Sequence, residues 1–534
     1  MGDVVSRPVL LIGIDGGAFD VLDPLVAAGE LPVLARLLAR GTRAVLRSVV
    51  PSITPAAWSS FMTGKHPGKH GVYDFRVYDP AAYADAFVTS HALREPTLWQ
   101  LLTAAGKRVA VVGLPMMYPP RADSGTIVAG FDSPSVASAF TKPPELRDRI
   151  LARLPAYSLV AVADPSDPSL ERDATFAAFV ADVERGLDQR TAIARDLLAE
   201  GGWDVFMVHY QDVDALQHAA WRFMGDGSAR AARLRALYRR LDGCLEELLR
   251  AAPADALVFV VSDHGFGNHT GRLFPNALLR RWRYLDWHGR HRTRLRRFVA
   301  RRLGRRATRT DTPWDVQVRE HGFARALPLV WRRTRAYVAV AEICALLYLN
   351  LRGREPEGIV APGAEAEQLV DELRERLAGA RDPRDGAPVF ARIARGADVY
   401  PDDRHGRRPE LVLVPRPGYT IYRELRPRLW IDHHRLMAGT HRDDGILVAS
   451  GDGVRASRLS EPASIVDVMP TVLAAAGVPI PDDVDGRVLA ELFTEPPAAT
   501  YVPAATAGAA DGGGLSAAEE DELARRLRGL GYMT

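Results

Sequence analysis

Short apolar runs that alternate with longer helical patterns constrain the fold of this chain more than any other feature. The runs predict strands that are apolar on both faces, at 9–14, 108–113, 205–209 and 257–262. The helical patterns between them lie at 33–40, 97–105, 176–198 and 229–250. Buried strands that alternate with helices are typical of a mostly parallel sheet covered on both sides. We therefore predict an α/β fold, a three-layer α/β/α sandwich with a mostly parallel central sheet.

The pattern changes after about residue 275. Between Arg280 and Arg309 there are thirteen arginines and one acidic residue, Asp286, so this stretch carries +12 although the whole chain carries only +3. Such a stretch can meet phosphate groups, anionic lipid or RNA, or it can form a solvated cationic face. We predict that 276–400 is an inserted cap region. Strand-like runs at 411–414 and 445–450 then predict a return to the core, which would be formed by 1–275 and 401–495. We predict that 496–534 is a peripheral C-terminal tail with one charged helix near 516–530.

The composition excludes several classes of protein. With 47% apolar and 25% charged residues, the chain is globular rather than disordered or fibrous. Two cysteines, Cys244 and Cys344, exclude a disulfide scaffold and a cysteine-built zinc ribbon, and they fit a reducing compartment. No run approaches the roughly 18 uncharged apolar residues of a membrane span, and the run at 9–14 is too short for a signal peptide. We expect a cytoplasmic protein with no membrane span.

Polar side chains follow several of the predicted strands. Asp15 follows the first strand, Asp214 follows a later one, and Asp263-His264 follows another. In sheets of this kind, functional groups collect at the carboxyl ends of the strands. Asp214 and His218 are four residues apart, so a helical turn would place both on one face. Carboxylate and imidazole ligands suit zinc or manganese.

Two further residues complete the candidate set. Thr54, followed by Pro55, is predicted to be the N-cap of a helix, where a hydroxyl or a phosphate lies beside free backbone N–H groups and the positive end of the helix dipole. His441 lies in a loop before a predicted strand. Each of these features is commonly structural when it stands alone. Together, strand ends of one sheet would supply two sets of metal ligands and a hydroxyl nucleophile, and two ions about 4 Å apart can clamp a phosphoryl group.

In their order along the chain, these elements resemble the alkaline phosphatase superfamily, close to its type I phosphodiesterase and nucleotide pyrophosphatase branch. The chain is similar in particular to bacterial proteins described as predicted phosphohydrolases or phosphomutases. The resemblance covers about 8–490 and rests on short motifs: Asp15, Thr54 with Thr63-Gly64 and His70-Gly71, Asp214-x-x-x-His218, Ser262-Asp-His-Gly265, Gly439-Thr-His441, and the closing Asp467-Val-Met-Pro-Thr with Asp485-Gly486. Each motif is weak alone, whereas the ordered set is specific.

The resemblance implies two divalent ions, Zn²⁺ or alternatively Mn²⁺. It implies that one ion is held by Asp214, His218 and His441. The other ion would be held by Asp15, Asp263 and His264, with Thr54 as a bridging ligand and the nucleophile. The implied reaction has two in-line steps, in which Thr54 attacks phosphorus and expels the alcohol, and water then hydrolyses the phosphothreonine.

The sequence departs from the family pattern in the region that would contact substrate. Nucleotide pyrophosphatases have an asparagine shortly after the His-Gly pair, and here Arg76 is the nearest candidate for its role. Pro55 also removes the backbone N–H that follows the nucleophile. The context of Thr54 does not match a sulfatase. In the predicted insertion, the substrate-binding candidates are Asn350, Arg352 and Arg354.

These features predict a phosphohydrolase acting on a small phosphorylated substrate, with phosphodiester or nucleotide pyrophosphate cleavage favoured. A phosphomonoesterase or phosphomutase using the same metal site is the first alternative. A protein that binds an anionic surface or nucleic acid and has a degenerate site is the second. We expect no stable nucleic-acid complex, and the sequence leaves the oligomeric state open.

Overall fold

The structure of the chain is a computed structural model that describes residues 7–160, 167–287, 327, 329–425, 430–433, 437–504 and 515–530. Its backbone contacts divide the chain into two compact units. The first unit comprises Met1–Tyr73, Val88–His269 and Leu436–Thr534, and the second comprises Asp74–Phe87 and Thr270–Arg435. The arginine-rich stretch from 288 to 309 lies outside the described residues, and so does most of the chain up to 328.

The strands of the described residues are numbered along the chain. They are β1 (Val9–Ile14), β2 (Thr42–Arg47), β3 (Arg76–Asp79), β4 (Ala84–Phe87), β5 (Val109–Val112), β6 (Thr126–Val128), β7 (Thr141–Lys142), β8 (Val205–Tyr210), β9 (Leu257–Val261), β10 (Gly265–Asn268), β11 (Gly271–Leu273), β12 (Ala336–Ala341), β13 (Ala345–Leu349), β14 (Phe390–Arg395), β15 (Leu411–Pro415), β16 (Tyr419–Ile421), β17 (Ile431–Asp432), β18 (Gly439–Arg442), β19 (Asp444–Ser450), β20 (Ser457–Arg458), β21 (Ala463–Ser464), β22 (Ile480–Pro481) and β23 (Tyr501–Val502).

The α-helices are numbered in the same way. They are α1 (Phe19–Ala27), α2 (Pro32–Arg40), α3 (Thr54–Thr63), α4 (Pro67–His70), α5 (Leu98–Ala104), α6 (Glu145–Arg153), α7 (Asp173–Leu198), α8 (Asp212–Ala220), α9 (Ala229–Ala251), α10 (Pro275–Arg281), α11 (Ala364–Ala378), α12 (Gly396–Val399), α13 (Val468–Ala475) and α14 (Ala517–Gly529).

A central sheet of the first unit has the strand order β20-β2-β19-β9-β1-β8-β5-β6-β7, and β21 also pairs with β2. Strands β9, β1, β8, β5 and β6 are parallel neighbours, whereas β19 and β7 run antiparallel to the strands beside them. Every residue of β1, β8 and β9 is buried, because helices cover both faces. Helices α7 and α5 both pack on β5; α7 packs with α9, and α5 packs with α3 and α13. The predicted three-layer α/β fold with a mostly parallel sheet is confirmed.

The second unit contains a separate antiparallel sheet with the order β12-β13-β15-β14 and the hairpin β3-β4. The apolar pattern at 411–414 predicts a strand of the core, but in the structure β15 pairs with β13 and β14. An apolar run predicts a buried strand and does not identify the sheet that the strand joins. The return to the central sheet comes at β19, and the predicted domain boundaries stay a prediction.

The C-terminal helix α14 packs against the rest of the first unit. The side chains of Leu523, Ala524, Leu527 and Leu530 are buried, and the Arg526 guanidinium donates hydrogen bonds to backbone carbonyls of the loop 131–134. We expected a peripheral tail because its flanking sequence is rich in alanine and glycine. The apolar face of this one helix explains why it docks. No described helix is both long enough and apolar enough to span a membrane.

Candidate active site

Adjacent strands of the central sheet bring the first candidate residues together. Asp15 directly follows β1, and Asp263-His264 follows β9, the parallel neighbour of β1. On the other side of β1, β8 leads into α8, which carries Asp214 and His218. Because these strands are parallel and adjacent, their carboxyl ends meet at one edge of the sheet.

His441 comes from a different part of the chain. The sequence predicts that His441 lies in a loop, but it lies on the short strand β18, which pairs antiparallel with β10. Strand β10 begins directly after His264. The rings of His441 and His264 stack with their centroids 3.6 Å apart. We refer to the buried residues gathered here as the Asp–His cluster: Asp15, Asp214, His218, Asp263, His264 and His441.

Two groups within the Asp–His cluster have ligand atoms close enough to share an ion. In each group the ligand atoms lie within 4.8 Å of one another, and the groups are Asp214, His218 and His441, and Asp15, Asp214 and His264. The first group has the same members as the set implied for one ion. The second group contains Asp214 where the implied set has Asp263, although Asp263 Oδ2 lies only 3.4 Å from His264 Nε2.

The three histidines of the cluster are oriented alike. The Nδ1 atoms of His218, His264 and His441 face the carbonyl oxygens of Gly439, Gly265 and Ser52, at 3.2, 3.0 and 3.0 Å. An Nδ1–H that donates to a carbonyl leaves the Nε2 lone pair available for a metal. All three Nε2 atoms point into the cluster, and those of His218 and His441 are 3.0 Å apart. This orientation is the one that metal-binding histidines adopt.

Buried polar atoms in the cluster lack a hydrogen-bonding partner among the described residues. They are Asp15 Oδ1, Asp263 Oδ2 and His264 Nε2. His264 Nε2 is 3.4 Å from each of the two oxygens. Leaving three such atoms buried is costly unless another group binds them, and a divalent cation suits both oxygen and imidazole ligands.

The electrostatics of the cluster favour a cation for the same reason. Burial and the neighbouring Asp15 carboxylate raise the pKa of Asp263 well above its ordinary value. Burial alone would lower the pKa of His264, but the Asp263 and Asp15 carboxylates raise it to about 10. Burial, with His264 nearby, lowers the pKa of His441 to about 4. These shifts show that the crowded, buried carboxylates favour positive charge beside them, and a bound metal ion could supply that charge in place of the protons on Asp263 and His264.

Thr54 is the first residue of α3 and is fully buried. The predicted N-cap position is off by one residue, because Ile53 is the N-cap and Pro55 occupies the first turn. Contacts on both sides of Thr54 tie the start of α3 to the Asp–His cluster. Trp58 Nε1, one turn later, donates to Asp15 Oδ2 at 3.1 Å, and His441 Nδ1 lies 3.0 Å from the carbonyl oxygen of Ser52. The helix start is thus held between two members of the cluster.

The motif at 63–71 anchors the other end of α3. Lys65 Nζ contacts Glu95 Oε2 at 2.5 Å and Asp483 Oδ2 at 2.7 Å, and Lys69 Nζ contacts Asp485 Oδ1 at 2.6 Å. These are two of only four lysines in the chain, and both are buried. Buried ammonium groups need such partners. The motif therefore connects α3 to the closing segment around Asp485.

A buried ion pair supports α8 and was not predicted from the sequence. Arg190 of α7 pairs with Asp212, the first residue of α8, and also donates to the carbonyl oxygen of Leu159 at 2.6 Å. A Cβ atom at Gly186 would lie 2.6 Å from the Asp212 carboxylate, so only glycine fits there. Asp212 comes two residues before Asp214, and the pair therefore positions the ligand-bearing end of α8.

His209 was also missed, although it lies within a strand that the sequence predicted. It is fully buried, with Nδ1 3.1 Å from the carbonyl oxygen of Gly113 and Nε2 3.1 Å from Asp15 Oδ2. A histidine inside an otherwise apolar strand, at its carboxyl end, was the available signal. The register Gly13↔His209 places it beside the end of β1.

The substrate-binding candidates belong to the second unit. Arg76 pairs with Asp85 at 3.0 Å, and Arg354 pairs with Glu410 at 2.7 Å. The Asn350 amide is engaged within that unit, because it accepts from the Tyr83 hydroxyl at 2.6 Å and donates to backbone carbonyls. Arg352 is exposed. Their predicted roles in substrate binding stay predictions.

Solved structures with a similar fold are distant in sequence. Phosphonoacetate hydrolase from Sinorhizobium meliloti, in complex with phosphonoformate, is 17% identical with a TM-score of 0.56, covering 88% of this chain and 96% of that one. Human ectonucleotide pyrophosphatase/phosphodiesterase 5 is 13% identical with a TM-score of 0.53, and the match covers 92% of this chain and 100% of that one. The murine form, an inactive Thr→Ala variant in complex with AMP, is 13% identical with a TM-score of 0.52, covering 90% and 97%.

A family model gives the assignment. The model described as type I phosphodiesterase / nucleotide pyrophosphatase matches residues 9–444, which include every residue of the Asp–His cluster and Thr54. This match covers well over half of the chain. The chain therefore belongs to the type I phosphodiesterase/nucleotide pyrophosphatase family of the alkaline phosphatase superfamily and is a metal-dependent phosphoester hydrolase.

Proposed function

We propose that this protein is a two-metal phosphodiesterase, acting on phosphodiesters or nucleotide-like pyrophosphates through a phosphothreonine at Thr54. The observation that carries this proposal is the convergence of buried carboxylates and Nε2 atoms in the Asp–His cluster, directly beside the start of α3. One ion would be held by Asp214, His218 and His441, and the other by Asp15, Asp263 and His264 with Thr54. When bound, the two ions would supply charge stabilisation at phosphorus and would acidify hydroxyl groups.

The proposed reaction has two displacement steps. Thr54 Oγ1 gives up its proton and forms a bond to phosphorus while the bond to the leaving alcohol oxygen breaks, and the alcohol departs with one proton gained. A water oxygen then attacks the same phosphorus from the side opposite Thr54 Oγ1. The attacking water loses a proton, the bond to Thr54 breaks, and Thr54 Oγ1 takes up a proton, which restores its hydroxyl. The two contacts that flank Thr54 hold the start of α3 beside the Asp–His cluster, and a nucleophile on a fixed helix start lowers the entropic part of the barrier.

The murine relative supports a role for threonine, since its inactive form carries a Thr→Ala change and was solved with AMP. For this chain we propose a small phosphorylated substrate and Zn²⁺ as the metal, with Mn²⁺ as the alternative that suits the same ligands. A cytoplasmic location and the absence of a stable nucleic-acid complex are also proposals. They rest on the sequence alone.

Replacing Thr54 tests the proposed nucleophile. Thr54→Ala should lower turnover of bis-(p-nitrophenyl) phosphate by at least about 10³-fold while the protein keeps its metal content and its thermal unfolding profile. Thr54→Ser is the matched control, because it restores a hydroxyl at the same position and should recover much of the activity. Turnover by Thr54→Ala at the wild-type rate would overturn the mechanism.

A paired assay distinguishes the remaining alternatives. Wild-type protein loaded separately with Zn²⁺ or Mn²⁺ should hydrolyse bis-(p-nitrophenyl) phosphate faster than p-nitrophenyl phosphate. Preference for the monoester would favour the phosphatase or phosphomutase alternative, and a mutase would isomerise its substrate without net release of phosphate. Failure to hydrolyse either compound with both metals bound would contradict the proposed substrate class.

A further inference from the structure

The two oxygens of the Asp15 carboxylate have different environments. Oδ2 accepts a hydrogen bond from Trp58 Nε1 at 3.1 Å and faces His209 Nε2, also at 3.1 Å. Oδ1 faces His264 Nε2 at 3.4 Å and has no hydrogen-bonding partner among the described residues. Oδ2 thus lies within hydrogen-bonding distance of two ring nitrogens of the chain, and Oδ1 is directed into the Asp–His cluster.

The two groups that contact Oδ2 are themselves held rigidly. His209 Nδ1 lies 3.1 Å from the carbonyl oxygen of Gly113, which fixes the plane of the ring. The Trp58 and His209 rings meet edge to face, with centroids 4.8 Å apart. Gly13 makes room for both, because a Cβ atom there would lie 2.9 Å from Trp58 and 3.0 Å from His209. All of these side chains are buried, so water does not compete for the carboxylate.

We propose that Trp58 and His209 are positioning residues that together hold Asp15 as a one-oxygen metal ligand, with Oδ1 presented to the ion and Oδ2 withheld. This inference rests on the proposed function, because it assigns a role at the same metal site. The proposal adds that one contact, between Trp58 and Asp15, fixes the position of the nucleophile relative to the metal ligand. Trp58 lies one turn after Thr54 on α3, so its bond to Asp15 fixes the distance between the helix start and the carboxylate.

The chain offers a matched control for the tryptophan. Trp99 is also fully buried, but its Nε1 makes no hydrogen bond among the described residues. Trp58→Phe and Trp99→Phe therefore remove the same atoms from the same kind of environment, and only Trp58→Phe removes a donor to Asp15. Metal affinity is measured on metal-free full-length protein by titrating Zn²⁺ against a competing chelator, with circular dichroism and thermal unfolding as checks on folding.

Trp58→Phe should weaken one of the two Zn²⁺ affinities by about 10- to 100-fold, the range typical of residues that orient a metal ligand. The other affinity should stay within about threefold of wild type, because that ion depends on His218 and His441. Trp99→Phe should leave both affinities unchanged. Equal affinities in Trp58→Phe and Trp99→Phe would overturn the inference. Binding of fewer than two ions by wild-type protein would instead contradict the proposed function.

His209 provides an independent test. His209→Leu removes the contact to Asp15, whereas His209→Gln retains an N–H donor of similar reach, so the leucine variant should lose more Zn²⁺ affinity than the glutamine variant. His70→Gln controls for loss of a buried imidazole, since His70 contacts Ser60 Oγ at 2.9 Å. If His209→Leu binds Zn²⁺ as tightly as His70→Gln does, His209 has no positioning role.

Discussion

Removal of Arg190 should destabilise the end of α8 that carries the metal ligands. In Arg190→Met, the fully buried Asp212 carboxylate loses its guanidinium, and the carbonyl oxygen of Leu159 loses a donor at 2.6 Å. Breaking a buried ion pair by removing one partner costs about 3–5 kcal/mol. At the lower end of that range, opening of α7 and α8 becomes about 150-fold more frequent. The double variant Arg190→Met/Asp212→Asn leaves no unpaired charge and should therefore recover part of the lost stability.

Hydrogen exchange followed by mass spectrometry measures this effect locally, which suits a chain with two units. Peptides from α7 and α8 should exchange about 150-fold faster in Arg190→Met than in wild type. Arg195→Met is the control on the same helix. The Arg195 side chain is 54% exposed, so its pair with Glu247 contributes at most about 1 kcal/mol to stability. If the two variants exchange at the same rate, the buried pair does not support α8 and our reasoning about Asp214 is wrong.

Two further predictions concern the loop 131–134 and the helix docked on it. Burial raises the pKa of Asp132 from 3.8 to about 7, so the folded state binds its proton more tightly than the unfolded chain. The free energy of unfolding should therefore fall as pH rises from about 4 to 7. In Asp132→Asn, urea unfolding at several pH values should show that this part of the pH dependence is lost. An unchanged pH dependence would refute the raised pKa of Asp132. Leu527→Ala should lower stability by about 3 kcal/mol, and the backbone amides of α14 should exchange hydrogen faster. Unchanged exchange there would show that α14 is not docked through Leu527.

The sequence was most informative where local pattern and chemistry coincide. Amphipathic periodicity predicted helices at 176–198 and 229–250, and the structure has them at Asp173–Leu198 and Ala229–Ala251. The polar residues that follow apolar strands, such as Asp15 and Asp263, are the ones that gather at the edge of the sheet. Such a residue stands out because it interrupts an apolar run, and the parallel topology then determines where it lies.

The parts that sequence reasoning missed depend on pairing between distant segments. His209 looked like part of an apolar strand, and only the register of β8 against β1 places it beside Asp15. Arg190 and Asp212 are 22 residues apart on different helices, so no local spacing connects them. The strand at 411–415 has the same apolar pattern as the core strands, yet it joins the sheet of the second unit. Contacts of this kind are set by tertiary packing.

The stereochemical course at phosphorus tests the central claim most directly. The substrate is a phosphorothioate diester of known configuration, hydrolysed in H₂¹⁸O by the metal-loaded wild-type protein. Two successive in-line displacements, first by Thr54 and then by water, each invert the configuration, so the account predicts net retention. This result does not require the phosphothreonine to accumulate. Net inversion would mean that water attacks the substrate directly, and it would contradict Thr54 as the nucleophile.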